Sequence, residues 1–311
     1  MSQTTDTILM IRPVNFRMNE QTAVNNYFQE DLAIKNAEIN HKAQLEFDAF
    51  VEKLTEAGIK VIVENDDLKD DTPDSIFPNN WVSFHANGDV AIYPMFAENR
   101  RRERREEVFV RLENEGFRIE NIVDYTSAED EGVFLEGTGS LILDRVNKKA
   151  YCALSERADE DLFIEFCEDF EYTPVVFTAN QDVDGKRKPI YHTNVMMCLA
   201  ERFAVICLDS IDDKKERKAV LKSLKQDGKA VIAITEVQMH RFAGNMLQVH
   251  NDDGKKYLVM SKSAHLSLNE KQISQIEKYS EILSSDLQTI ETCGGGSARC
   301  MMAEVFLPEA H

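Results

Sequence analysis

"NNWVSFHANGDVAIYPM", residues 79–95, is the stretch on which the reading of the fold turns. Apolar residues flank Asn87-Gly88, a dipeptide that tolerates the positive φ angles of a two-residue turn, so the segment predicts a β-hairpin. A polar residue, Asn80, stands just before it. After it, "ENRRRERREEVFVRLENEG" (98–116) has the apolar spacing of a helix, and "FRIENIVDY" (117–125) reads as a third strand.

The same layout returns along the chain. Hairpin patterns recur in "EGTGSLILDRVNKKAYCALS" (136–155), "HTNVMMCLAERFAVICLD" (192–209) and "GNMLQVHNDDGKKYLVMS" (244–261), and "CMMAEVFLP" (300–308) reads as a lone last strand. Helical patterns follow the hairpins in "ERADEDLFIEFCEDF" (156–170), "DDKKERKAVLKSLKQDG" (212–228) and "SLNEKQISQIEKYSEIL" (267–283). Third strands are expected in "TPVVFTA" (173–179), "KAVIAITEV" (229–237) and "LQTIET" (287–292). Upstream, "ILMIRPVNF", the helical "HKAQLEFDAFVEKLTEAG" and "IKVIVEN" supply the earlier pieces of the pattern. The polar residues that lead the modules, Asn80, Glu136, His192, Asn245 and Cys300, are separated by 56, 56, 53 and 55 residues. Such regularity marks a repeat. The expectation is an α/β fold of five ββαβ modules closed into a five-bladed propeller, with residues 1–311 as a single domain. In a closed ring the equivalent module starts face the axis, which would bring these five polar residues into one pocket.

Composition narrows the function. The net charge of −19 argues against a nucleic-acid partner, whose phosphates need a basic surface. The one basic run, "NRRRERREEVFVRL", alternates with glutamates and reads as a solvated helix face. No apolar run is long enough to span a membrane, and the N-terminus carries no secretory pattern, so a cytoplasmic protein is expected. Six cysteines lie mostly in apolar stretches and are expected to be reduced. Oligomeric state stays open, a homo-oligomer being compatible with the sequence.

The periodic set has chemical content. Cysteine, histidine and carboxylate supply a nucleophile, a general acid/base and a group to orient it. Cys300 is in phase with the repeat and Cys293 is not, so Cys300 is the candidate nucleophile and Cys293 reads as packing. His192 and Asn194, two apart on an expected strand, should share a face. The glycines of "CGGGSARC" suit a close approach to a ligand. Cys293 and Cys300 are not at zinc-ligand spacing, so no metal is expected.

"FPNNW", "FLEGTG", "YHTNV", "FAGNM" and "GGGSARCMMAE" together resemble the guanidino-group-modifying (pentein) superfamily, which includes arginine deiminases, dimethylarginine dimethylaminohydrolases and amidinotransferases; the arginine-deiminase-related citrulline hydrolases are the most similar group. The resemblance spans essentially the whole chain and implies a five-bladed α/β propeller. It implies Cys300 as nucleophile, His192 as general acid/base and Glu136 as its support, with no cofactor. Thr138 stands where the family has a second glycine. Asn80 and Asn194 stand where arginine deiminases carry aspartates that clamp the guanidinium.

That departure favours a neutral ureido group, because asparagine both donates and accepts whereas a guanidinium wants carboxylates. The expected activity is hydrolysis of citrulline to ornithine, ammonia and carbon dioxide. The alternative is an arginine deiminase or dimethylarginine dimethylaminohydrolase acting on a guanidino group; a silent amino-acid-binding protein is the rival from another class. Asn245 is expected to touch the substrate or shape the pocket. Arg299 and Arg12 are the candidate partners for the substrate α-carboxylate.

Overall fold

The computed structural model describes residues 2–310, and its strands group into small mixed sheets. β1 (Thr7–Arg12) pairs in parallel with β2 (Lys60–Asn65) after a crossover through the helix Asn36–Glu56. β3 (Val82–Phe84) and β4 (Asp89–Ile92) form the antiparallel hairpin expected around Asn87-Gly88, with Gly88 at φ 91°. The helix Glu106–Asn114 then returns the chain to β5 (Asn121–Asp124), parallel to β4.

Three further copies follow. β6 (Leu141–Asp144), β7 (Lys149–Leu154) and β8 (Thr173–Thr178) enclose the helix Glu160–Asp169. A separate two-stranded hairpin, β9 (Asn180–Val183) and β10 (Lys186–Pro189), is inserted before β11 (Met197–Leu199), β12 (Phe203–Ile206) and β13 (Ala230–Ala233). β14 (Leu247–His250), β15 (Lys256–Ser261) and β16 (Glu281–Ser285) make the last complete copy. β17 (Ala303–Glu304) runs antiparallel to β1, pairing Ile8 with Glu304 and Leu9 with Ala303. The C-terminus thus supplies the outer strand that the first sheet lacks, and the described residues hold five three-stranded sheets in all.

The helices Asn36–Glu56 and Glu160–Asp169 each present an apolar stripe to neighbouring strands. In Asn36–Glu56 the buried residues are Ile39, Ala43, Phe47, Phe50 and Leu54, at the three- and four-residue steps of one helix face. In Glu160–Asp169 they are Leu162, Phe163, Phe166 and Cys167.

Two expectations are corrected. "LQTIET" is not a strand: residues Gln288–Gly294 form a helix, and the third strand of that copy is Glu281–Ser285, which overlaps the end of the segment read as helical. Leu287, Ile290 and Cys293 are all buried at three-residue steps, a helical period that a six-residue window hides. The basic run is not a wholly solvated face either. Residues Glu98–Glu103 form a 3-10 turn that buries Arg100 against Glu103, with N–O distances of 2.9 Å.

Candidate active site

The module starts are short turns rather than strands. Asn80 ends the 3-10 turn Pro78–Asn80, Glu136 caps the turn Gly137–Ser140, and His192 caps Thr193–Met196. Cys300 sits in a turn closed by Cys300 N–H to Ser297 O at 3.0 Å and Met301 N–H to Ala298 O at 3.2 Å, ahead of β17. The shared strand face expected for His192 and Asn194 is therefore replaced by a helical turn. Glycines let these turns meet: a Cβ on Gly139 would lie 2.5 Å from Asn80 Nδ2 and 2.8 Å from His192 Nδ1.

The turns converge. Cys300 Sγ accepts hydrogen bonds from Asn245 Nδ2 at 3.2 Å and Asn194 Nδ2 at 3.4 Å, all three residues being buried. His192 Nε2 donates to Glu136 Oε2 at 2.7 Å, and the other Glu136 oxygen accepts from Phe96 N–H at 3.0 Å. Arg157 and Arg100 approach the same carboxylate at 3.5 and 4.0 Å. Asn80 Oδ1 accepts from Arg100 Nη1 at 2.8 Å. Asn80, His192 and Cys300 line one cavity together with Asp74, Arg100 and Arg157, its free space about 10 Å³. All five in-phase residues thus meet around one centre, Glu136 and Asn245 acting through His192 and Cys300.

Burial dominates the electrostatics. It pushes His192 down to about 4; the hydrogen bond and charge of Glu136 work upward, and Arg157 and Arg100 add to the fall. Burial works to raise Glu136, but the charge of Arg157, the His192 hydrogen bond and Arg100 outweigh it and hold the acid at about 2. The pair is thus a carboxylate beside a neutral imidazole whose Nε2 carries the proton, leaving Nδ1 as the basic nitrogen. Asp74 is raised, by burial first, against Arg100 and the hydrogen bonds of Asn19 and Thr22. Its Oδ1 has no partner among the described residues.

The two arginines proposed from sequence for the α-carboxylate are elsewhere. Arg299 turns its guanidinium to Met302 O at 2.8 Å and Glu304 Oε2 at 2.6 Å, and only its backbone N–H joins the site, bonding Asn245 Oδ1 at 3.1 Å. Arg12 pairs with Asp48 on the surface at 2.7 and 2.8 Å. The cavity's cations are Arg100 and Arg157, and its unpaired acid oxygen belongs to Asp74. None was found from sequence, because the repeat singles out one residue per module while these come from the segments between. Cys293 packs in an apolar cluster with Ile290 and Met301. All six cysteines are free and buried.

An α/β chain of repeated small mixed sheets, with cysteine, histidine and glutamate gathered at the module starts, is the organisation of the pentein superfamily of guanidino-modifying enzymes. More particularly, the chain belongs to the family described as N,N dimethylarginine dimethylhydrolase, eukaryotic, whose model matches residues 12–307. No curated protein matches it. Among solved structures it is similar to apo ArgZ, an arginine dihydrolase from the ornithine-ammonia cycle in cyanobacteria, at 16% identity and a TM-score of 0.73, covering 97% of this chain and 41% of that one. The substrate-bound N-terminal domain of ArgZ matches at 16% identity and a TM-score of 0.69, covering 97% of this chain and 99% of that domain. A dimethylarginine dimethylaminohydrolase adduct with S-methyl-L-thiocitrulline matches at 13% identity and a TM-score of 0.62, with 97% and 100% covered. The chain spans about two fifths of full-length ArgZ, and at these identities the likeness shows the fold. Among the described residues no helix is long and apolar enough to cross a membrane.

Proposed function

We propose that this chain is a cytoplasmic hydrolase of the ureido group of citrulline, one catalytic domain whose five sheets are the blades of a closed propeller. The observation that carries the reading is the set of neutral amides around the sulfur. Asn194 and Asn245 donate to Cys300 Sγ, Asn80 lines the same cavity, and the nearby Glu136 carboxylate is already engaged by His192, Phe96 N–H and Arg157. A guanidinium placed there would find only Asp74 Oδ1 as a free carboxylate oxygen among the described residues that line the cavity, and each charged hydrogen bond forgone is worth roughly 1.5–3 kcal/mol. A ureido group finds both donors and acceptors.

In this mechanism Cys300 attacks the ureido carbon while the neutral His192 takes the thiol proton on Nδ1. The imidazolium so formed is held by Glu136, and it returns the proton to the departing nitrogen as the C–N bond breaks. A thiocarbamate on Cys300 remains. Water, deprotonated by His192, cleaves the C–S bond, and the carbamate released decays to carbon dioxide and an amine. Citrulline plus water gives ornithine, ammonia and carbon dioxide whichever nitrogen leaves first. Arg157 is the partner for the substrate α-carboxylate, since its Nη1 faces Glu136 at 3.5 Å without a hydrogen bond, whereas Arg100 is saturated by Glu103, Asn80 and backbone carbonyls. Asp74 Oδ1 is the partner for the α-ammonium. The cavity is smaller than any amino acid, so binding requires its lining, which includes Thr22 and Asn26, to move apart.

Asp74 also motivates a second reading, hydrolysis of arginine or a methylated arginine, in which its free oxygen takes the guanidinium. Incubation with citrulline, arginine and dimethylarginine in turn, with ornithine, citrulline and ammonia quantified and Cys300→Ser as the blank, separates the two. Ornithine from citrulline that disappears in Cys300→Ser supports the ureido reading. Turnover of arginine or dimethylarginine to citrulline, with citrulline itself left untouched, overturns it in favour of the second.

A further inference from the structure

Glu291 lies on the helix Gln288–Gly294, which leads into the glycine-rich segment before Cys300. Its side chain is buried, at 7% exposure, in the wall of a cleft of about 440 Å³. The groups that act on it most are the hydroxyls of Ser261 and Ser297 and two further acids, Glu46 and Asp286, and although Arg241 lines the same cleft, no described cation forms an ion pair with it. Lys262, which lines the same cleft, is turned to Asp286 at 3.5 Å. A buried carboxylate without a counter-ion is costly, and such groups concentrate where a protein does chemistry. Nor is Glu291 needed to cap its helix, because Glu46 accepts the N–H groups of Thr289 and Ile290 at 2.8 and 3.0 Å.

What Glu291 does hold is the nucleophile turn. Ser297 Oγ donates to Glu291 Oε1 at 2.6 Å, and the carbonyl of the fully buried Ser297 accepts Cys300 N–H at 3.0 Å. Two hydrogen bonds therefore join the carboxylate to the amide of the sulfur-bearing residue. Between them run Gly294, Gly295 and Gly296, which have no side chains of their own to fix a path. That path is set from outside: Phe77 packs where Cβ atoms would lie 2.8–2.9 Å away, and Tyr191 O–H donates to Gly295 O at 2.5 Å. The Ser297–Glu291 bond is the side-chain clamp between this glycine run and the turn that carries Cys300.

We infer that Glu291 is a positioning residue: through Ser297 it fixes the turn that carries Cys300 and so sets where the sulfur stands between its amide donors. The inference rests on Cys300 being the nucleophile. Its test uses Glu291→Gln, Ser297→Ala and the double variant, each read in two ways. With citrulline, both single variants should lower kcat about tenfold or more while KM stays within about twofold, since small displacements of a reacting group cost rate more than binding. The double variant should be no worse than the worse single one, because both remove the same clamp. Without substrate, the rate of Cys300 alkylation by iodoacetamide, followed by peptide mass mapping from pH 6 to 9, should fall in both variants, with a displaced pH profile. Glu291→Asp should recover part of either rate. Alkylation and its pH profile unchanged in both single variants, or effects that multiply in the double, would overturn the inference. A wild-type protein inert toward citrulline would sink the proposed substrate alone, as alkylation still decides the role of Glu291.

Discussion

His192 carries the most definite chemistry at the residue scale, because burial leaves it neutral where an ordinary histidine would titrate. Its basic form is present above the folded value of about 4 and is lost as pH falls through that value. The acid limb of kcat/KM is therefore expected near pH 4 rather than near 6.5, and Arg157→Met, which removes a charge that depresses the imidazole, should move it upward. An acid limb unmoved from the ordinary histidine range would contradict the arrangement. Glu136→Gln should lower kcat about 100-fold, within the usual contribution of a positioned acid/base pair. Asn194→Asp should weaken citrulline turnover and improve the binding of arginine, measured by competition. Glu291 gives a stability prediction of opposite sign to the depressed groups. Burial, against the Ser261 and Ser297 hydrogen bonds and with Glu46 and Asp286, raises it to about 7, so the folded state holds a proton that the unfolded state has shed. Its stabilisation is present below the ordinary glutamate range and is lost as pH rises toward 7. Thermal melts at pH 5 and pH 8 should thus show Glu291→Gln gaining on the wild type as pH rises.

Among the elements, the long helix Asn36–Glu56 shows how far local pattern reaches. Its apolar stripe was legible because Phe47, Phe50 and Leu54 recur at helical steps, and all three are buried. Phe50→Ala should cost about 3–5 kcal/mol in urea unfolding, the range for a buried aromatic, whereas Leu45→Ser, at a position 57% exposed, should stay within about 0.5 kcal/mol. Comparable effects at the two positions would mean that the helix is rotated from the face described. Elements were missed where two signals compete. "EIL" was absorbed into the preceding helical pattern although Glu281–Ser285 pairs with β15, and "LQTIET" offered the β-branched residues of a strand while its burial follows a helix. The β9–β10 hairpin has its own turn dipeptide, Asp184-Gly185, at φ 52° and 75°, but it lies outside the repeat, so the periodicity does not reveal it.

For the whole molecule, closure of the first sheet by the C-terminus is the decisive long-range contact. β17 joins β1 on the edge opposite β2, with Thr5 Oγ1 donating to Val305 O at 2.7 Å and Val305 N–H to Thr7 O at 3.0 Å, while Ala303, Val305 and Leu307 are buried. Deleting residues 303–311 should abolish cooperative thermal unfolding, because it removes a ladder strand and the cluster those residues share with Leu9 and Trp81. A truncated chain that melts like the full one would show that closure contributes little. The sequence by itself determined the α/β class, the hairpin–helix–strand order and the five in-phase polar residues, because these follow from short-range apolar periodicity and from a spacing that repeats along the chain. Only the tertiary structure decided that the module starts are turns rather than strands, that Arg299 and Arg12 face elsewhere, and that Asp74, Arg100 and Arg157 enter the cavity. Where a long charged side chain ends depends on which desolvated partner it meets in the folded chain: Arg100 and Arg299 close on Glu103 and Glu304 a few residues away, Arg12 on Asp48 and Arg157 on Asn25 from other elements, and no apolar period distinguishes these outcomes.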